Sequence, residues 1–111
     1  TKKAVELFAD IQAYREGKGS AHDLLKRGTH VTDTNAAFFD VRNNFKGCIA
    51  GINEVLARQG LLQGNWCLLD KERLSSDQSE YIDLVYERYP ELNDDLFVKE
   101  NLEKWRGYAK K

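Results

Sequence analysis

The chain has 111 residues, 41% of them hydrophobic and 32% charged, which is enough for one domain with a real core and too few for two. A formal charge of −1 gives no general pull toward nucleic acid or an anionic membrane, and no apolar run approaches bilayer length. Two cysteines, Cys48 and Cys67, do not make a secreted disulfide framework, so a reduced, cytoplasmic protein is expected.

Helical periodicity begins at once. Ala4, Leu7, Phe8, Ile11 and Tyr14 recur at helical spacing, and Gly17 stops this first helix. Ser20 caps a short second helix, "SAHDLLKRG", that ends at Gly28. Thr32 or Thr34 opens a third, "TNAAFFDVRNNF", stopped at Gly47. A fourth runs from Ile49 through Ile52, Val55 and Leu56 to Gly60, where Arg58 sets a cation before the terminating glycine. Residues 61–74, "LLQGNWCLLDKERL", have no 3.6-residue period and are expected to lie extended on the helices. Ser75 with Gln78 makes a capping box for a fifth helix, with Ile82, Val85, Tyr86 and Tyr89 on one face and Pro90 at its end. Asn93 caps a sixth. Asp94 and Asp95 occupy its first turn, where negative charge is favoured, and Phe97, Val98, Leu102 and Trp105 form its buried stripe. The expected fold class is all-α, about six helices in a bundle, with residues 1–111 as a single helical domain. The chain has no methionine and opens inside a helical pattern. Either an initiator methionine is removed or these residues are the C-terminal part of a longer chain.

Chemistry-bearing groups are few. Cys48 sits beside Lys46 at a predicted helix N-terminus, the electrostatic setting that favours a thiolate. Its base would have to be His22 or His30, and neither has a protease context or an oxyanion-hole motif. The plainer reading is a small buried residue that fits a tight turn. His22, His30, Cys48 and Cys67 lack zinc-ligand spacing, so no metal is expected. Asp94 and Asp95 are adjacent and do not face one another on a helix, which suits a cap better than an acid–base pair. Lys104, Arg106, Lys110 and Lys111, with Trp105 and Tyr108 between them, are interrupted by Glu100 and Glu103. They read as cations at a helix C-terminus, and no nucleic-acid partner is expected. No catalytic set is complete within these residues, which leaves a helical protein-interaction module, docking a partner helix in an apolar groove, as one reading.

A second reading comes from "FFDVRNNFKGCIAGINEVLARQGLL". This segment resembles the C-terminal region of the dihydrodipicolinate synthase / N-acetylneuraminate lyase family, in which a (β/α)8 barrel is followed by extra helices. Gly51 stands in the first turn of the helix, Ile52, Val55 and Leu56 form its packing face, and Gly60-Leu61 its end. "LLQGNWCLLDKERLSSDQSEYIDLVYERY" is similar to the family's apolar crossover into a Ser-capped helix, and "ELFADIQAYREGKG" to the helix that follows barrel closure. The match is most specific over residues 38–61. The Asn-Pro-x-Pro-x-Lys run of many members is replaced here by Cys48, Ile49, Ala50, Gly51, Ile52 and Asn53, which points to a lyase-like relative. The resemblance implies a Schiff-base aldolase or lyase acting on pyruvate or another 2-oxo acid. Its lysine, tyrosine relay and carboxylate-binding loop would lie in the barrel, so no catalytic residue and no cofactor are expected in these 111 residues. Cys48 and Ile49 would sit at the rim of the substrate mouth. The implied partners are the barrel domain of the same chain and further copies in a homo-oligomer, with no membrane.

Overall fold

A computed structural model describes residues 1 to 109, with backbone alone at Tyr108 and Ala109. It is all-helical, with five α-helices, two short 3-10 turns and no strand among the described residues. The helices are α1 (Lys2–Arg15), α2 (Ala21–Phe38), α3 (Cys48–Arg58), α4 (Gln78–Arg88) and α5 (Asp95–Ala109), with 3-10 turns at Val41–Asn43 and Pro90–Leu92.

Five helices replace the expected six because the second and third are one. Gly28 does not end a helix; it lies inside the 18 residues of α2, at a cost of about 1 kcal/mol relative to alanine. Thr32, expected to cap, donates its hydroxyl to the Gly28 carbonyl at 3.0 Å, and Thr29 does the same to Leu25 at 3.0 Å. This back-bonding keeps both threonines inside a continuous helix. Ser20 does cap α2, its Oγ accepting from the Asp23 N–H. The predicted third helix ends early, at Phe38, because Asp40 turns into the left-handed region at φ 57°.

Helix α2 is the hub against which α1, α3 and α4 pack. The core is small: Ala37, Ile82 and Val85 are buried together, flanked by Phe38, Leu74, Tyr81, Tyr86 and Tyr89. Ion pairs tie the periphery on. Arg27 reaches Asp10 at 2.6 Å from α2 to α1, and Arg58 of α3 bridges Glu54 at 2.9 Å and Asp83 of α4 at 2.5 Å. Arg106 donates to the Gly60 carbonyl at 3.0 Å, closing the C-terminal end of α3 with a cation from α5. Of the expected basic tail, Lys110 and Lys111 lie outside the described residues.

Two expected packing faces are turned differently. No residue of α1 is buried, and Phe8 is 61% exposed. In α3, Ile52 is exposed while Val55 and Leu56 are half-buried. Residues 61–74 form turns and bends, held by Asn53 Nδ2 donating to the Trp66 carbonyl at 2.8 Å and by the Asn65 side chain donating Nδ2 to the Glu54 carboxylate at 2.8 Å. Of their large side chains Leu74 packs on the helical core, whereas Trp66 is 75% exposed and Leu68 fully so. The dimensions agree. The radius of gyration is 16.0 Å against about 13 Å for a compact domain of this length, and the surface is 8158 Å² against about 6,300 Å².

Candidate functional site

The turn before α3 is built on a buried polar knot. Asp40, at the end of α2 and almost fully buried, accepts from the Gly47 N–H at 2.9 Å, from Ser75 Oγ at 2.6 Å and from Asn43 Nδ2 at 2.7 Å. Gln78, the first residue of α4 and also buried, donates its Nε2 to the Gly47 carbonyl at 2.9 Å and approaches the Ala37 carbonyl at 3.4 Å. Its Oε1 accepts from the Ser75 N–H at 3.1 Å. The capping box is therefore half realised: Gln78 reaches back to Ser75, while the Ser75 hydroxyl goes to Asp40. Every polar atom of the knot that these bonds use is satisfied, as a low-dielectric interior demands.

Two glycines make room for it. A Cβ at Gly47 would stand 1.9 Å from Gln78 Oε1, and one at Gly51 would stand 2.1 Å from the Phe38 carbonyl oxygen. The loop that leads into Gly47 passes through three non-glycine residues at positive φ, Asp40, Asn44 and Phe45, an uncommon concentration in one loop. Burial pushes the Asp40 carboxyl up, but the hydrogen bonds from Ser75, Asn43 and Gly47 and the charge of Lys46 outweigh it. The group is held below the ordinary carboxylate range.

On this platform stand Cys48 and Ile49. Cys48 is the first residue of α3, half-buried and in no disulfide, and Ile49 beside it is 49% exposed. The sequence placed Cys48 at a helix N-terminus, and that is where it lies. The N–H of Gly47, the residue before α3, is taken by the Asp40 carboxylate, which already sets a negative charge at that helix end. His30, one of two bases considered, is committed elsewhere: its Nδ1 meets Glu91 at 2.7 Å and its ring stacks on Tyr89 at 4.6 Å. Cys67 contacts Asn53 and the Asn65 carbonyl and stays unpaired with Cys48. No group of three metal-ligating side chains occurs among the described residues.

Asp94 and Asp95 go to separate tasks. Asp94 accepts from the Thr1 nitrogen and from the Lys3 N–H at 2.9 Å, so it caps α1 from the far end of the chain. Asp95 accepts from Gln59 at 3.0 Å, and its N–H is capped by Asn93 Oδ1 at 2.7 Å. A second acidic cluster escaped the sequence reading altogether. Asp33 accepts from the hydroxyls of Tyr89 at 2.7 Å and Tyr81 at 3.1 Å, which joins α2 to α4. The Tyr89 bond, with that of Tyr81 and the charge of Arg88, lowers the Asp33 carboxyl below its ordinary range against the opposing effect of burial. An Asp at one turn's distance from no other charged residue of its own helix gives no such signal; the partners arrive only with the packing of α4.

Among the described residues no helix is long and apolar enough to cross a membrane. Comparison of the chain with protein-family models, with curated proteins and with solved structures finds no match.

Proposed function

We propose that these helices are the C-terminal segment of a Schiff-base aldolase or lyase of the dihydrodipicolinate synthase / N-acetylneuraminate lyase type. In that reading they cover one side of a (β/α)8 barrel and support contacts between copies, and the parent enzyme forms an imine with pyruvate or another 2-oxo acid. One observation carries the reading: the large apolar residues Phe8, Ile49, Ile52, Trp66 and Leu68 stand in solvent around a small core. Exposed apolar side chains of this size support a reading in which another body covers them. The segment is a wall and not a catalytic centre, which agrees with the commitment of its carboxylates and of His30 to structural bonds. Cys48 and Ile49 shape the rim without entering the chemistry. Turnover of the full-length protein should stay within a few-fold after Cys48→Ala, and total loss would assign the thiol a chemical role.

The chemistry is tested by borohydride reduction of the full-length protein in the presence of pyruvate. A covalent adduct on a lysine outside these 111 residues is expected, and no adduct counts against an imine mechanism. One feature favours the alternative, an independent helical interaction module. Along α2, Leu24, Leu25, Gly28, Thr32 and Ala36 line an open, mostly apolar groove of about 1010 Å³, the kind of surface on which a partner helix docks. The isolated chain would then be monomeric and unfold cooperatively, whereas a barrel wall would self-associate.

A further inference from the structure

The open groove along α2 pairs a long apolar surface with a single charge. Its lining runs from Ala21 to Ala36, a rise of about 22 Å or four helical turns, so its length suits a chain segment and not a small molecule. The backbone of α2 spends its N–H and C=O groups within the helix, which leaves no edge for a strand to pair with. A segment that satisfies its own backbone bonds, a helix, is the form that fits. Leu24, Leu25 and Tyr14 supply apolar side chains, and Leu25 is 73% and Tyr14 43% exposed. Among the described residues no lysine, arginine or histidine lines the groove, and Asp33 is the one side chain there that is charged at neutral pH.

Asp33 has bonding capacity to spare. An ionised carboxylate offers about four acceptor sites. The hydroxyls of Tyr81 and Tyr89 use two of them, and Arg88 stands off at 3.9 Å, beyond hydrogen-bond length. The Asp33 side chain is still 31% exposed, and the tyrosine bonds that hold its carboxyl below the ordinary range keep it ionised. We propose that the groove docks an amphipathic helix whose apolar face carries a lysine or arginine, the cation meeting Asp33 while aliphatic side chains pack on Leu24, Leu25 and Tyr14. The proposal rests on the interaction-module reading and adds the chemistry of the partner to it. A helix with glutamate at that place sets like charges together and is disfavoured.

The probes are three helical peptides of about 18 residues with one leucine and alanine stripe, identical except for lysine, glutamine or glutamate within it. Each is titrated into the full chain and followed by the methyl resonances of Leu24, Leu25 and Ala36. All three should shift these methyls. The lysine peptide should bind about threefold to fivefold tighter than the glutamine one and about tenfold tighter than the glutamate one, and the preference should shrink at high salt. Asp33→Asn should bring the three within about twofold of one another. Gly28→Leu, whose added side chain starts in open space, should weaken all three at least about tenfold by filling the groove, with the helical circular dichroism unchanged. Equal binding of the three peptides to the native chain, or a lysine preference that survives Asp33→Asn, overturns the proposal and leaves the interaction-module reading standing. If no peptide shifts these methyls, that reading fails and the proposal fails with it.

Discussion

At the scale of single residues, the same substitution should act in opposite directions at different glycines. Gly28 lies in mid-helix, and a Cβ there would meet nothing within 4 Å. Gly28→Ala should therefore stabilise the chain by about 0.5–1 kcal/mol through helix propensity and a stiffer unfolded state. Gly47→Ala and Gly51→Ala drive a methyl into Gln78 and into the Phe38 carbonyl, and each should cost at least about 2 kcal/mol. Urea denaturation midpoints of the three variants check the contrast. The carboxylates of the two buried networks set the acid limit. Asp33 and Asp40 both have folded-state pKa values lowered from the ordinary 3.8. A carboxyl lowered by folding contributes stability that is complete above its unfolded pKa and disappears as pH falls through the folded value. Stability should thus be level above about pH 5 and drop below about pH 4, and the drop should shrink in Asp40→Asn, as thermal melts across that range would show.

At the scale of elements, α1 and α4 should differ most. Helix α4 buries Gln78, Ile82 and Val85, while α1 buries nothing and is held by Arg27–Asp10 and by the Asp94 cap. Surface ion pairs of that kind contribute about 0–1 kcal/mol, too little to hold a helix closed. In the isolated chain, amide hydrogens of α1 should exchange well before those of α2 and α4, at free energies far below global unfolding. Equal protection along α1 and α4 would contradict this. The elements were legible where local chemistry decides them. Ser20, Asn93, Gly17 and Gly60 mark ends that side-chain oxygens and positive φ values enforce. Gly28 misled because one glycine costs a helix only about 1 kcal/mol, less than the packing of α1, α3 and α4 on α2 supplies, and the threonine hydroxyls that read as caps bond back within the helix. The Asp40–Gln78 knot was visible only in part. Ser75 and Gln78 lie three residues apart, but their meeting with Asp40 joins positions 35 and more residues distant, a distance that periodicity cannot register.

At the scale of the whole molecule, the apolar stripes of α4 and α5 face inward as their periodicity suggests, with Ile82, Val85 and Val98 buried, whereas α1 buries none of its stripe. Periodicity says that Phe8 or Ile52 lies on an apolar face; it does not say whether the cover belongs to this bundle. Five apolar residues are buried beneath 8158 Å² of surface, and Phe8, Ile52, Trp66 and Leu68 stay exposed among the described residues. The proposal that these helices wall a larger enzyme turns on this point. Its most direct test is covalent carbene footprinting of the native full-length protein, with the urea-unfolded protein as reference. Labelling at Phe8, Ile49, Trp66 and Leu68 is predicted to fall several-fold in the native state, although these helices alone leave all four side chains exposed. Native labelling at Trp66 and Leu68 equal to that of the unfolded chain would contradict the proposal.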